Sequence, residues 1–144
     1  VKIFFDTSVL VAALVEEHPH HARSFASLKR AMGNGNEFLV SSHTLAELYA
    51  VLTALPVSPR ISPGMAGRLI EESVFRRARV IALSVTDYLT VLRRAEDSAP
   101  AGGNIYDALI FMAAEKAGAE CLLTLNPADF QRVGQGENGI LQTP

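Results

Sequence analysis

The sequence predicts an α/β fold: a single three-layer domain, with a central, mostly parallel sheet of four or five short strands flanked by helices. Three observations carry this. Apolar runs of strand length alternate with longer segments of helical periodicity, the pattern of successive βαβ units. The strand runs are apolar throughout, as expected of strands covered on both faces. A length of 144 residues suits one domain spanning 1–144, and a chain of this size buries roughly 70% of its unfolded surface.

The elements follow in order. Residues 2–5, 38–40, 80–83 and 121–125 read as strands. Residues 9–14 read as a buried helix directly after the first strand. Residues 20–32 carry apolar side chains at 22, 25, 26, 28 and 32, close to a helical stripe. Residues 44–55 continue with Leu45, Leu48, Tyr49, Val51, Leu52 and Leu55, closed by Pro56. Residues 62–75 open with Pro63 at a first helical position. Residues 86–99 start with a Thr86–Asp87 cap and stop before Pro100. Residues 105–117 are nearly apolar all round and end at Gly118, while MGNGNE (32–37) and PAGGN (100–104) are turn punctuation. Tyr49, Phe111 and Met112 are expected in the core. No repeat, low-complexity tract or linker interrupts the pattern.

Composition narrows the class. A hydrophobic content of 49% excludes a disordered or highly charged chain. One cysteine, Cys121, forms no internal disulfide and sits in an apolar run, which suits a reducing cytoplasm. No run approaches the ~20 apolar residues that span a bilayer, and no charged leader precedes an apolar segment. A cytoplasmic protein with no membrane partner is expected. The net charge of −2 lacks the basic footprint of non-specific nucleic-acid binding. Arg76, Arg77, Arg79, Arg93 and Arg94 read as solvated helix faces. A protein that meets phosphate charge with metal ions needs fewer arginines.

Four acids stand out. Asp6 lies between the first strand and a helix, and a buried unpaired charge there is costly. Glu47 lies three residues after Thr44, a Thr-x-x-Glu capping box. Asp107 lies three after Asn104, and Asp129 three after Asn126, with Pro127 between. Each alone could cap a helix. Together they tell a different story, because strand-to-helix turns of a parallel sheet share one edge, where ligands gather; Asp107 alone follows a helix, so its place at that edge depends on the fold and not on spacing. Acids crowded there repel one another, and a cation is the natural remedy. Oxygen-only ligation selects Mg²⁺ or Mn²⁺. Asp107 weighs most, because IYDALIFMAA is a core helix with little solvent-facing side to cap.

FFDTSVLVAAL, TLAELYAVL and GGNIYDALIFMAAEKAGAECLLTLNPADF, in that order, resemble the PIN-domain ribonucleases, and among them the VapC toxins of bacterial toxin–antitoxin pairs. The resemblance covers nearly the whole chain. It implies a parallel sheet flanked by helices and metal-dependent endoribonuclease activity on RNA. It makes Asp6 and Asp107 the principal metal ligands, with Glu47 completing the acidic site directly or through water. Ser8 would orient the acids by its hydroxyl. It also implies a homodimer, and a heteromeric complex with a cognate VapB-type antitoxin whose C-terminal segment enters the groove beside the site. The sequence departs at Asn126, where many relatives carry Asp; Asp129 either takes over that charge or caps its helix. The chemistry implied is hydrolysis of a phosphodiester by a metal-activated water, leaving a 5′ phosphate and a 3′ hydroxyl.

Two other readings compete. A catalytically degenerate PIN-like module would bind RNA or protein without cutting. A haloacid-dehalogenase-like phosphatase would share the strand-then-Asp start, but it wants a second Asp where Ser8 stands. His18, His20 and His21 lack further ligands at zinc spacing and read as a loop and helix start. His43, one turn before Glu47, could touch the site, but it reads first as a solvent-facing helix start. No Gly-rich phosphate loop is present.

Overall fold

The computed structural model describes residues 1–33, 35–98, 104–132 and 139–144. Its elements run β1 (Lys2–Phe5), α1 (Thr7–Leu14), α2 (His21–Ala31), β2 (Glu37–Ser41), α3 (Ser42–Ala54), α4 (Pro63–Ile70), β3 (Arg79–Ile81), α5 (Val85–Ser98), α6 (Asn104–Ala117), β4 (Cys121–Leu123), α7 (Pro127–Arg132) and β5 (Leu141–Gln142). The five strands form one sheet in the order β3-β2-β1-β4-β5, and every described pairing is parallel. Parallel pairing demands a crossover between strands, and the helices supply it.

The pleat explains why the strands are apolar throughout. Ile3 and Phe5, Phe38 and Val40, and Cys121 and Leu123 point to one face, where they pack with Leu10, Leu28, Leu48, Leu52 and Ile70 of α1–α4. Their neighbours Phe4, Leu39 and Leu122 point to the other, against Ile110, Phe111 and Ala114 of α6 and Phe130 of α7. Alternate residues on one strand thus serve two cores. The α5 helix packs through Val91 on Leu109 and Met112 of α6, outside the sheet layer. Phe111 and Met112 are buried as expected, whereas Tyr49 is 45% exposed. The α3 helix is apolar on most sides, so periodicity left open which side turns inward.

Several local expectations change. The Thr44–Glu47 box is not formed. The cap of α3 is Ser41, whose hydroxyl accepts from His43 N at 3.2 Å, and Thr44 is buried with its hydroxyl 3.4 Å from that of Thr7. The cap of α5 is a reciprocal Ser84–Asp87 pair, with bonds of 2.8 and 3.1 Å, not Thr86–Asp87. Segment 62–75 starts as expected, with Ser62 capping and Pro63 at the first position, but α4 gives way to a π-helical turn over Glu71–Phe75. The third strand is shifted to Arg79–Ile81, and the fourth ends at Leu123. Strand β5 was not placed from sequence, its two residues being too few for a pattern. In the turn at 32–37 Gly35 takes φ +75°, a conformation that favours glycine. Residue 34 and the expected turn at 100–103 lie outside the described residues, as does Ala99.

Arg76 and Arg94 pair with Glu71 and Glu115 on exposed surface, in keeping with solvated helix faces, whereas Arg79 opens strand β3 and pairs there with Glu37 of β2. Among the described residues no helix is long and apolar enough to cross a membrane.

Candidate active site

The chain moves from β1 outward through β2 and β3 on one side, then returns to place β4 and β5 on the other. Connections therefore diverge at the carboxyl ends of β1 and β4, and a crevice opens between them. Asp6 stands at the end of β1, its N–H donating to Leu123 O at 2.9 Å. Glu47 projects from α3 on one face of the sheet, and Asp107 from α6 on the other. Asp6, Ser8, Glu47, Asp107 and Asn126 line one cleft of about 440 Å³. Asp129 is outside the lining, but its charge reaches Asp107. Its N–H donates to Asn126 O at 3.1 Å in the first turn of α7.

Asp6 occupies the N-cap position of α1 without a capping hydrogen bond from its side chain. Its Oδ2 instead accepts from Ser8 Oγ at 2.6 Å and Thr124 Oγ1 at 2.8 Å. Those hydroxyls accept in turn from Leu125 N at 3.1 Å and Asn126 N at 3.0 Å. The turn after β4 is thereby fastened to the start of α1, with the carboxylate at the centre. Burial pushes the Asp6 carboxyl above its ordinary range, against the opposing pull of Ser8, Thr124 and the N–H groups of Thr7 and Ser8.

Glu47 is raised too, by burial first and by the Asp6 charge, with His43 and Thr7 pulling down. Its Oε1 is shielded from solvent and lies 3.1 Å from His43 Nε2, without the geometry of a hydrogen bond. Asp107 is pushed up to about 7, by burial first, then by the charges of Asp6, Asp129 and Glu47. The acids chosen from sequence are thus the ones that act on one another here.

These residues fit a hard divalent cation. The donors are oxygens, and the Glu47 oxygen is a buried acceptor without a donor, an expensive state that a cation relieves. Among the described residues no three Asp, Glu, His or Cys side chains close into a cage. An ion held by one or two carboxylates and several waters matches the habit of Mg²⁺.

Some members were not read from sequence. Thr124 is fully buried yet bonded to Asp6; a hydroxyl closing the apolar run CLLT was the available signal. His18 and His20 border the cleft. His43 is not a free helix start, since it stacks on Tyr106 with centroids 5.2 Å apart.

A parallel sheet with acids gathered at its switch point defines a class, and the chain belongs to the PIN-domain family, whose pattern matches residues 3–136. Within that family it is a relative of the VapC ribonucleases. Ribonuclease VapC27 of Mycobacterium tuberculosis is 37% identical over 116 residues, covering 80% of this chain and 78% of the relative. The VapBC2 structure from Rickettsia felis, bound to a DNA fragment from its promoter, shares the fold with TM-score 0.67. That likeness covers 99% of this chain and 98% of the other at 23% identity. VapC20 of Mycobacterium tuberculosis, a Sarcin-Ricin loop cleaving toxin, matches with TM-score 0.63 over 83% of this chain and 86% of its own at 20% identity.

Proposed function

We propose that this chain is an endoribonuclease of the VapC type, dependent on Mg²⁺ or Mn²⁺, and the toxin member of a toxin–antitoxin pair. The observation that carries the reading is the meeting of Asp6, Glu47 and Asp107 in one cleft, where burial first and the neighbouring acids second push the Asp107 carboxyl up to about 7. Kinship with VapC27 supports the activity.

When bound, the cation would neutralise phosphate charge and make water a better nucleophile at neutral pH, as hydrolysis to a 5′ phosphate and 3′ hydroxyl requires. Asp6 and Asp107 would hold it. Ser8 and Thr124 keep Asp6 in a single orientation, so no reorganisation is needed when substrate arrives. Glu47, which lines the cleft, or Asp129, which reaches it through its charge on Asp107, would position the water. Asn126 offers a carbonyl oxygen but no charge.

A VapB-type antitoxin and a second copy of the chain are the partners of this reading. The VapBC2 complex supports the first. Exposed Val85, Tyr88, Leu89 and Leu92 form a helical stripe on α5, which supports an apolar contact with another chain. The lone buried Cys121 suits a cytoplasmic setting.

The test is cleavage of single-stranded and structured RNA by purified protein, with EDTA and then Mg²⁺ or Mn²⁺ restored. Cutting abolished by chelation and recovered with metal supports the reading. RNA binding with no cutting under any metal favours the degenerate module, for which neutral Asn126 in the cleft is the specific argument.

A further inference from the structure

His43 and Tyr106 belong to helices on opposite faces of the sheet, α3 and α6, which otherwise approach each other closely at few points. Their rings are parallel, with 1° between planes and 5.2 Å between centroids. Neither is there to fill a core: Tyr106 is 50% exposed, and the His43 side chain 28%. Each is tied to an acid of the cleft. His43 Nε2 lies 3.1 Å from Glu47 Oε1, one turn further along α3. Tyr106 immediately precedes Asp107 on α6.

We propose that His43 and Tyr106 are a positioning pair, a clasp between the two helix layers that sets Glu47 against Asp107 so that both face the same divalent cation. The inference rests on the metal site proposed above. The geometry gives it a mechanism. Glu47 sits on a helix of one layer and Asp107 on a helix of the other, so their separation depends on how the layers meet at the sheet edge. Among the described residues the stack is the one aromatic contact that joins those layers there. His43 also lies against the Glu47 carboxylate, its Nε2 3.1 Å from Oε1, and with the Thr7 hydroxyl it bears on which way that carboxylate turns. Groups that orient metal ligands without touching the metal typically change affinity 10- to 100-fold when removed.

The test is Mn²⁺ titration of metal-free protein, followed by electron paramagnetic resonance, with no RNA present. Tyr106→Ala and His43→Ala should each weaken Mn²⁺ binding roughly tenfold, with the thermal midpoint little changed because both rings are partly exposed. Tyr106→Phe keeps the ring and should bind like the parent. The double alanine variant should be no weaker than either single one, as for two halves of one contact. Alanine variants that bind like the parent, a Tyr106→Phe as weak as Tyr106→Ala, or additive losses would each overturn the clasp. Asp107→Asn separates the two levels. If it binds Mn²⁺ like the parent, the metal site itself is wrong and the clasp falls with it. If it loses binding while the alanine variants keep it, the site stands and the clasp alone is refuted.

Discussion

Thr124 Oγ1 donates to Asp6 Oδ2 over 2.8 Å, joining the end of β4 to the end of β1 beneath a carboxylate that is only 5% exposed. The hydroxyl works in both directions, since it accepts from Asn126 N at 3.0 Å. It therefore holds both the first acid and the turn that bears the fourth polar position.

Replacing Thr124 with Val keeps the shape and removes both bonds. A hydrogen bond to a charged, buried partner is worth about 1.5–3 kcal/mol, and an unsatisfied buried group adds to the loss. Thr124→Val should lower unfolding free energy by about 2 kcal/mol in a urea melt and raise the Asp6 pKa further. A melt indistinguishable from the parent would remove Thr124 from the account.

The metal-free protein should lose stability as pH rises from about 4 to 7. Asp107 titrates at its ordinary 3.8 when unfolded and near 7 when folded. Across that window the folded state binds more protons than the unfolded one, so raising the pH favours unfolding. The contribution is complete below 3.8 and gone above 7. Asp107→Asn should flatten this slope and leave the metal-free protein more stable than the parent at pH 8. Saturating Mg²⁺ should restore the parent at that pH, since a ligand of the folded state alone stabilises it by mass action. Urea melts at pH 4, 6 and 8, with and without Mg²⁺, check all three.

Asp129 acts on Asp107 by charge. Asp129→Asn should therefore lower the Asp107 pKa from about 7, as read by carboxyl NMR titration. Its effect on Mn²⁺ affinity should be smaller than that of Asp107→Asn. An unmoved Asp107 titration would mean that the fourth acid only serves α7.

Leu48 is fully buried next to Glu47 in α3, at the side of the core that carries Phe5. Leu48→Ala should cost about 2–5 kcal/mol and loosen the helix that presents Glu47. A loss below ~1 kcal/mol would mean the layer collapses around the gap.

The layering of the fold was legible because β1, β2 and β4 are apolar on both sides and the segments between them have helical length and periodicity, although α3 and α6 are apolar on most sides. Asp6, Glu47 and Asp107 were legible because acids at the ends of apolar elements need a reason to be there. What escaped were relationships between distant residues. Thr124 meets Asp6 across 118 positions, and the one local signal, a hydroxyl closing the apolar run CLLT, does not say which distant carboxylate it serves. His43 and Tyr106 meet only because α3 and α6 flank the same crevice. The misplaced cap of α3 has a local cause: SSHT offers three hydroxyls, and burial of Thr44 against Thr7 decides among them. Strand β5 escaped because two residues form a strand only when β4 is beside them.

The central claim is that Asp6 and Asp107 hold a catalytic cation. Its most direct measurement is RNA cleavage by purified Asp6→Asn and Asp107→Asn in Mn²⁺, with circular dichroism confirming the fold. The account predicts that both variants lose cleavage by at least a hundredfold, on the order of 3 kcal/mol of transition-state stabilisation, while remaining folded. A folded variant of either kind that cuts RNA at the parent's rate would contradict it.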